Sequence, residues 1–348
     1  TASPPVLQRI AEILFEGRAH LVRGESDRTN IIYFVKHCRV KNPALLEEVQ
    51  KRKRPMVIFC SSRKGTEQTA SFLRLRLNDE NIRADIDIAL FSAGADISKE
   101  YAPKFAKNGT VVIDNSSFFR MDENVPLVVP EVNSSEIKDN KIIANPNCST
   151  ITVIPALKYI DDKYGIKRVV YSTYQSVSGA GQKGLEDLEK NLKGESSTKF
   201  TSQIAFNLIP YIDKFDENTG YTKEELKMIN ETRKILSKPD MKITATCVRV
   251  PVRYSHAVSV NLELEKSFDL DELKDGLSKR AGVVLEDLAM PIDVEGKDKT
   301  YVGRIRRDFS VENGLNLWIV ADNIRKGAAT NAVQIAQEII LLKEVNNG

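Results

Sequence analysis

The sequence predicts an α/β protein with a parallel sheet in front and a mixed sheet behind it, on three observations. Short apolar runs of strand length alternate with helical patterns up to about residue 147, the runs behind are spaced by longer polar stretches, and a periodic helix closes the chain. The 348 residues suffice for two domains of ordinary size. Hydrophobic residues make up 41% and charged residues 28%, a globular balance. No apolar run approaches the roughly 18 residues a membrane span needs, and the first 18 residues lack the layout of a secretory leader. A start on Thr1 predicts that the natural chain begins further upstream. Cys38, Cys60, Cys148 and Cys247 stand too far apart for a disulfide framework or a zinc knuckle, and three histidines argue against a multi-His metal site. These features read as a cytoplasmic protein.

Each element has its own reason. After Pro4-Pro5, the residues Val6, Ile10, Ile13 and Leu14 recur at helical spacing. Ile31–Val35 is an apolar strand, Pro43–Val49 a short helix and Met56–Cys60 a second buried strand. Thr66–Leu77 places Ala70, Leu73 and Leu77 on one helical side. Ile86–Phe91 is a strand ending in Ser92-Ala93-Gly94, and Val111–Ile113 and Lys141–Ala144 are two more. Such alternation predicts parallel pairing with right-handed crossovers. Val169–Gln175, Ile243–Val252, Ser259–Leu264 and Asn316–Ala321 are strand-like. The polar stretches Gly194–Ser202 and Asp213–Tyr221 between them point to a mixed or antiparallel sheet. Ala332, Ile335, Ala336, Ile339 and Ile340 make Gly327–Glu344 a closing amphipathic helix.

Net charge is +3, unevenly spread: residues 1–85 carry 16 Lys+Arg against 10 Asp+Glu, and the remainder 35 against 38. A basic front can face nucleic acid, but a solvated basic face is the commoner cause, and Lys51–Arg54 ends a helical pattern where cations suit the dipole.

Cys148 is the sharpest chemical candidate. It stands in Asn145-Pro146-Asn147-Cys148-Ser149-Thr150, after a strand and before the helical stretch Ile151–Tyr159. A thiol at a helix N-terminus is expected to have a lowered pKa, and the N–H groups of that turn suit an oxyanion. His256 is the only histidine in the second half and, paired with an activated cysteine, becomes a candidate acid/base. The small residues of Ser176–Gly181 let a backbone approach a ligand. Arg120 can grip a phosphate or carboxylate, although a surface arginine is the default.

Together these pieces resemble aspartate-semialdehyde dehydrogenases. The resemblance is carried by Asp114–Asp122, Val128–Asn133, Asn145–Thr150, Gln175–Gly181, Ala205–Pro210, Glu224–Met228, Thr246–Pro251 and Ala321–Gly327, in the family's order from about residue 86 to 345. It implies a Rossmann-like cofactor domain and a mixed-sheet catalytic and dimerisation domain. The implied reaction is NADPH-dependent reductive dephosphorylation of L-aspartyl 4-phosphate, in a homodimer or dimer of dimers. By resemblance Cys148 is the nucleophile, His256 the acid/base, and Gln175 orients substrate and intermediate. Arg249 would pair with the substrate carboxylate and Glu224 with its amino group, while Arg120 and Lys227 hold phosphate and Asn147 lies in the substrate site. Ser92, Gly94, Ser178, Gly179, Gly181 and Asn323 would line the cofactor. No metal is implied.

The family's Gly-rich pyrophosphate turn does not stand before Ile86, where the only glycines are Gly17, Gly24 and Gly65. Instead Thr1–Val6, Arg23–Ile31 and Met56–Lys64 resemble RecQ-type DNA helicases, without the Gly-Lys-Ser/Thr or Asp-Glu-x-His motifs of an ATP site. The expected organisation is therefore a helicase-like segment 1–84 forming or replacing the first βα units, the rest of the cofactor domain at 85–147, a catalytic and dimerisation domain at 148–325, and a returning helix at 326–348. Ser61–Gly65 offers N–H donors and cations for phosphate, but one glycine leaves little room, so simple packing is the expectation there. A catalytically silent chimera and a nucleic-acid-binding remnant are the competing readings. No intact recognition motif supports the latter.

Overall fold

The computed structural model describes residues 87–347. The expected elements between Val6 and Leu77, the helicase-like segment and the Ser61–Gly65 loop lie outside the described residues. Strand β1 (Ile88–Phe91) leads through the Ser92–Gly94 turn into helix α1 (Ala95–Lys107). Gly94 precedes the helix with φ 101, a left-handed conformation that glycine adopts freely. Asp96 in the first turn and Lys104 and Lys107 in the last complement the dipole. Ser98 and Ala102 are the buried positions of this polar helix, and Ser98 Oγ donates to Asp114 Oδ1 at 2.7 Å. Strands β2 (Val111–Asp114) and β3 (Ile142–Ala144) complete a three-stranded parallel sheet in the order β1-β2-β3.

Helix α2 (Cys148–Tyr164) is apolar nearly all round and buried from Ser149 to Leu157, as a helix enclosed by sheet and helices must be. Strand β4 (Ile166–Gln175) follows, then α3 (Gln182–Leu192), α4 (Lys223–Ile235), β5 (Lys242–Arg249) and β6 (His256–Leu264). Helix α5 (Leu270–Ser278), β7 (Val283–Leu285), β8 (Thr300–Asp308) and β9 (Gly314–Ala321) finish a six-stranded mixed sheet in the order β5-β4-β6-β9-β8-β7. Pairing is parallel at β4/β5 and β7/β8 and antiparallel elsewhere.

The closing segment is a π-helical turn, Arg325–Thr330, that runs into α6 (Asn331–Asn347). Ala332, Ile335, Ala336 and Ile339 pack with Val111, Ile113, Val128, Ile137 and Ile143, so the C-terminal helix covers the three-stranded sheet. The polar helices α1, α3, α4 and α5 and strands β7 and β8 escape the hydrophobic pattern. For α4 a usable signal existed: Thr222 and Glu225 form a capping box, in which each side chain bonds the other's backbone N–H. Strand β8 carries three arginines and a register shift between Gly303 and Arg306, which breaks its alternation.

Candidate active site

Cys148 opens α2, and Asn147 caps the helix by accepting from Ser149 N–H at 2.9 Å. The carboxyl ends of β2 and β3 deliver this turn: Asn145 Nδ2 donates to Asn115 Oδ1 at 2.7 Å, and Asn331 Nδ2 donates to Asn145 Oδ1 at 2.7 Å. Ligand crevices in parallel sheets form at this end of the strands. In the mixed sheet, register sets Gln175 beside Arg249, and Tyr174 beside Ala257, so β4 and β5 end where β6 begins with His256. The result is a Cys148 Sγ to His256 Nε2 distance of 3.3 Å across 108 residues of sequence.

Around this pair stand the other expected substrate residues. Glu224 Oε1 accepts from Asn147 Nδ2 at 3.0 Å and from Gln175 Nε2 at 3.4 Å, and its Oε2 accepts from Lys227 Nζ at 3.1 Å. Arg249 Nη1 donates to the Ser176 carbonyl at 2.7 Å. A Cβ on Gly179 would lie 2.7 Å from Arg249 Nη1 and 3.2 Å from His256 Cε1, so a side chain there would press on both. Arg120 does not lie on the surface: it is 8% exposed, donates to Glu231 Oε1 at 3.1 Å, and leaves its buried Nε without a partner among the described residues. That orphan donor suits an anion.

Glu231 is a member of the site that the sequence reading did not single out. Its other oxygen accepts the Asn147 N–H at 2.6 Å, so one carboxylate ties Arg120 to the turn that carries Cys148. Glu224, Lys227 and Glu231 sit at i, i+3 and i+7 on α4, a helical face from which the third residue could have been found.

The thiol corrects one expectation. Burial pushes the Cys148 pKa up to about 11, with Glu224 acting in the same direction and Arg120 and Arg249 opposing it. Desolvation and a nearby carboxylate outweigh the helix terminus. Burial, with Arg249 adding to it, lowers His256 to about 3, so the imidazole is neutral.

The expected cofactor residues form two groups. Ser178 Oγ donates to Asn323 Oδ1 at 3.1 Å, and Gly181 N–H donates to the Ser178 carbonyl at 2.9 Å, beside His256. Ser92 and Gly94 lie instead at the end of β1, where Asn115 Nδ2 is 3.4 Å from Ser92 Oγ. Small residues and polar hydrogen-bonding groups at the strand ends fit the nicotinamide end of a dinucleotide. The segment that would meet the pyrophosphate lies outside the described residues.

Residues 43–140 match the semialdehyde dehydrogenase NAD-binding domain and residues 157–326 the semialdehyde dehydrogenase dimerisation domain. The aspartate-semialdehyde dehydrogenase of Aquifex aeolicus is 54% identical over 313 residues, covering 83% of this chain and 90% of its own. The chain belongs to the aspartate-semialdehyde dehydrogenase family. Aspartate-semialdehyde dehydrogenase 2 of Vibrio cholerae is 46% identical, with 85% and 93% covered. The crystal structure of the Vibrio cholerae enzyme II complexed with ASA superposes with a TM-score of 0.70 at 50% identity, covering 73% of this chain and 79% of that one. The Candida albicans enzyme with NADP gives 0.59 at 25% identity, covering 74% and 78%. The NAD-binding match starts at residue 43, upstream of the boundary near residue 86 expected from the motifs. Among the described residues no helix is long and apolar enough to cross a membrane.

Proposed function

We propose that this enzyme reduces L-aspartyl 4-phosphate to L-aspartate 4-semialdehyde, with release of phosphate, and runs the reverse reaction, as a step of aspartate-family amino-acid biosynthesis. The observation that carries the reading is Cys148 Sγ at a helix N-terminus, 3.3 Å from His256 Nε2 and ringed by Gln175, Glu224, Arg249 and Arg120. Cys148 attacks the acyl carbon; the S–C bond forms as the carbon–oxygen bond to phosphate breaks, leaving a thioacyl-enzyme. When bound, NADPH would supply a hydride to the acyl carbon, and the C–S bond to Cys148 would break to free the aldehyde. Arg249 meets the substrate carboxylate, Glu224 its amino group, and Arg120 with Lys227 the phosphate, each charge paired in a site too dry to tolerate it alone. Gln175 orients the carbonyl and His256 handles the proton. Asn147 holds the nucleophile turn.

NADP is the favoured dinucleotide, a choice supported by the Candida albicans neighbour solved with it. Ser92, Gly94, Ser178, Gly179, Gly181 and Asn323 would line it. The dimerisation-domain match supports a homodimer, alone or as a dimer of dimers, working in the cytoplasm. The helicase-like strings of residues 1–84 support a chimeric front, and the NAD-binding match beginning at residue 43 favours part of it standing in the first βα units.

The test is phosphate-dependent reduction of NADP by L-aspartate 4-semialdehyde beside a Cys148→Ala control. Turnover that vanishes in the control is expected. Absence of turnover in both would favour the catalytically silent chimera, with the missing glycine turn as its cause.

A further inference from the structure

We propose that Lys234 is a positioning residue for the phosphate grip: its ammonium gathers the main chain of the Arg120 turn, so that Arg120 Nε stays open toward the anion. The inference deepens the reaction assigned above and rests on Arg120 meeting the phosphate there.

Lys234 Nζ donates to three carbonyl oxygens of one short segment: that of Arg120 at 2.8 Å, of Asp122 at 2.7 Å and of Val125 at 2.8 Å. An ammonium has three protons, so these bonds exhaust it and leave nothing for a substrate. Lys227, two turns earlier on α4, is different: its partners are the side-chain carboxylates of Asp213 at 3.0 Å and Glu224 at 3.1 Å. Three carbonyl oxygens aimed at one point repel each other unless a cation sits between them. Burial works against the Lys234 charge, and Asp122, Glu231 and Glu123 work for it. Met121 to Asn124 are exposed, so packing does little to hold this turn. The arginine's own side chain is fixed separately. Nη1 donates to Glu231 Oε1 at 3.1 Å and Nη2 to the Asn115 carbonyl at 3.0 Å, and the buried Nε has no partner among the described residues. Glu231 and Lys234 stand at i and i+3 on α4, so neighbouring side chains of one helix fix the guanidinium and the backbone of the same residue. With the backbone released, the guanidinium could keep Glu231 while Nε swings out of line with the anion.

The first test needs no turnover. Inorganic phosphate should raise the thermal midpoint of the unaltered enzyme, and the concentration giving half that rise should be about tenfold higher in Lys234→Met. No rise in the unaltered enzyme would fell the phosphate reading and the proposal with it. A rise with the same half-saturating concentration in both proteins would overturn the proposal alone. In the kinetic assay, Lys234→Met should raise KM for phosphate about tenfold and leave KM for L-aspartate 4-semialdehyde and for NADP within about twofold, a split that a general loss of packing does not give. A parallel rise of all three overturns it. In an Arg120→Ala background, Lys234→Met should add nothing further to the phosphate KM, because the two residues act as a unit. A full additive rise there would show that Lys234 works through some other group, against the proposal. Should Lys234→Met fail to fold, the unaltered protein decides: inorganic phosphate should slow amide deuterium exchange across residues 119–125, and unchanged exchange there overturns the proposal.

Discussion

The Cys148 turn and the C-terminal turn that closes over it are each built on a buried ion pair, and the two pairs do different work. At the first, Glu231 joins Arg120 at 3.1 Å to the Asn147 N–H at 2.6 Å, one residue before Cys148. At the second, Lys326 donates to Glu131 Oε1 at 2.7 Å and to Gln334 Oε1 at 3.0 Å, which fastens the π-helical turn to the short helix Pro130–Asn133 beside the parallel sheet. The turns are close, since a Cβ on Gly327 would come within 3.0 Å of Cys148 Cβ. Among the described residues each pair keeps one unpartnered buried atom, but of opposite kind: Arg120 Nε is a donor, whereas Glu131 Oε2 is an acceptor. The difference teaches that burial of a charge does not mark function. A free donor beside the reactive thiol suits an anion, and a free acceptor does not.

The comparison can be broken most directly by removing one member of each pair. Glu231→Ala should strip Arg120 of its carboxylate and cost about 3–5 kcal/mol of stability, the range for leaving one buried charge alone; a shift of the urea midpoint within error would refute it. Lys326→Met should cost a similar amount by stranding Glu131, and Lys326→Met with Glu131→Gln should recover much of it. Activity sharpens the contrast. In Glu231→Gln, which keeps the shape, kcat/KM should fall by about 10²-fold because the nucleophile turn shifts. Folded Lys326→Met with Glu131→Gln should keep kcat within about threefold, as the pair touches no substrate group. Equal kinetic losses in the two would erase the distinction.

The acid limb of stability gives a smaller effect of opposite sign at the two pairs. Burial works to raise the Glu131 carboxyl, but the Lys326 ammonium overrides it and holds the group below its ordinary range. Its contribution is present above about pH 4.3 and lost as pH falls through the lower folded value. Burial raises Glu231 above the ordinary range against the opposing pull of Arg120. The folded state then binds its proton first, so this group's contribution is largest at acid pH and is lost as pH rises through the higher folded value. Glu131→Gln should therefore flatten the loss of stability in acid, and Glu231→Gln should steepen it, as read from unfolding midpoints between pH 3 and 7. The smallest effect concerns Asp187. Burial opposes its ionisation, but N–H donors from Phe200 and Thr198 bring it to about 2, so its anchoring of the 198–200 loop should weaken only between about pH 4 and 2. Loop cleavage by an acid-active protease across that range measures it.

Local pattern carried much of the architecture. The apolar runs ending at Phe91, Ile113, Ala144, Gln175 and Ala321 became strands with ends shifted by at most a few residues, because strand-length burial is written in consecutive side chains. Cys148 was legible for the same reason: strand, Asn cap and helix lie within a few positions of it. The family motifs also named Gln175, Glu224, Arg249 and His256 before any distance was known. What the sequence could not determine were effects that sum over many distant atoms. The raised thiol is one, since desolvation by the surrounding sheet and the Glu224 charge overturn what the helix terminus alone predicts. The place of Glu231 is another, because its partners Arg120 and Asn147 lie 111 and 84 residues away. The anchoring of the His256 ring is a third, since the Ser176 N–H that meets its Nδ1 sits 80 residues back in the chain. Residue identity tells which groups can donate, accept or ionise. Only the tertiary structure decides which of those capacities is already occupied and which is left open toward a substrate.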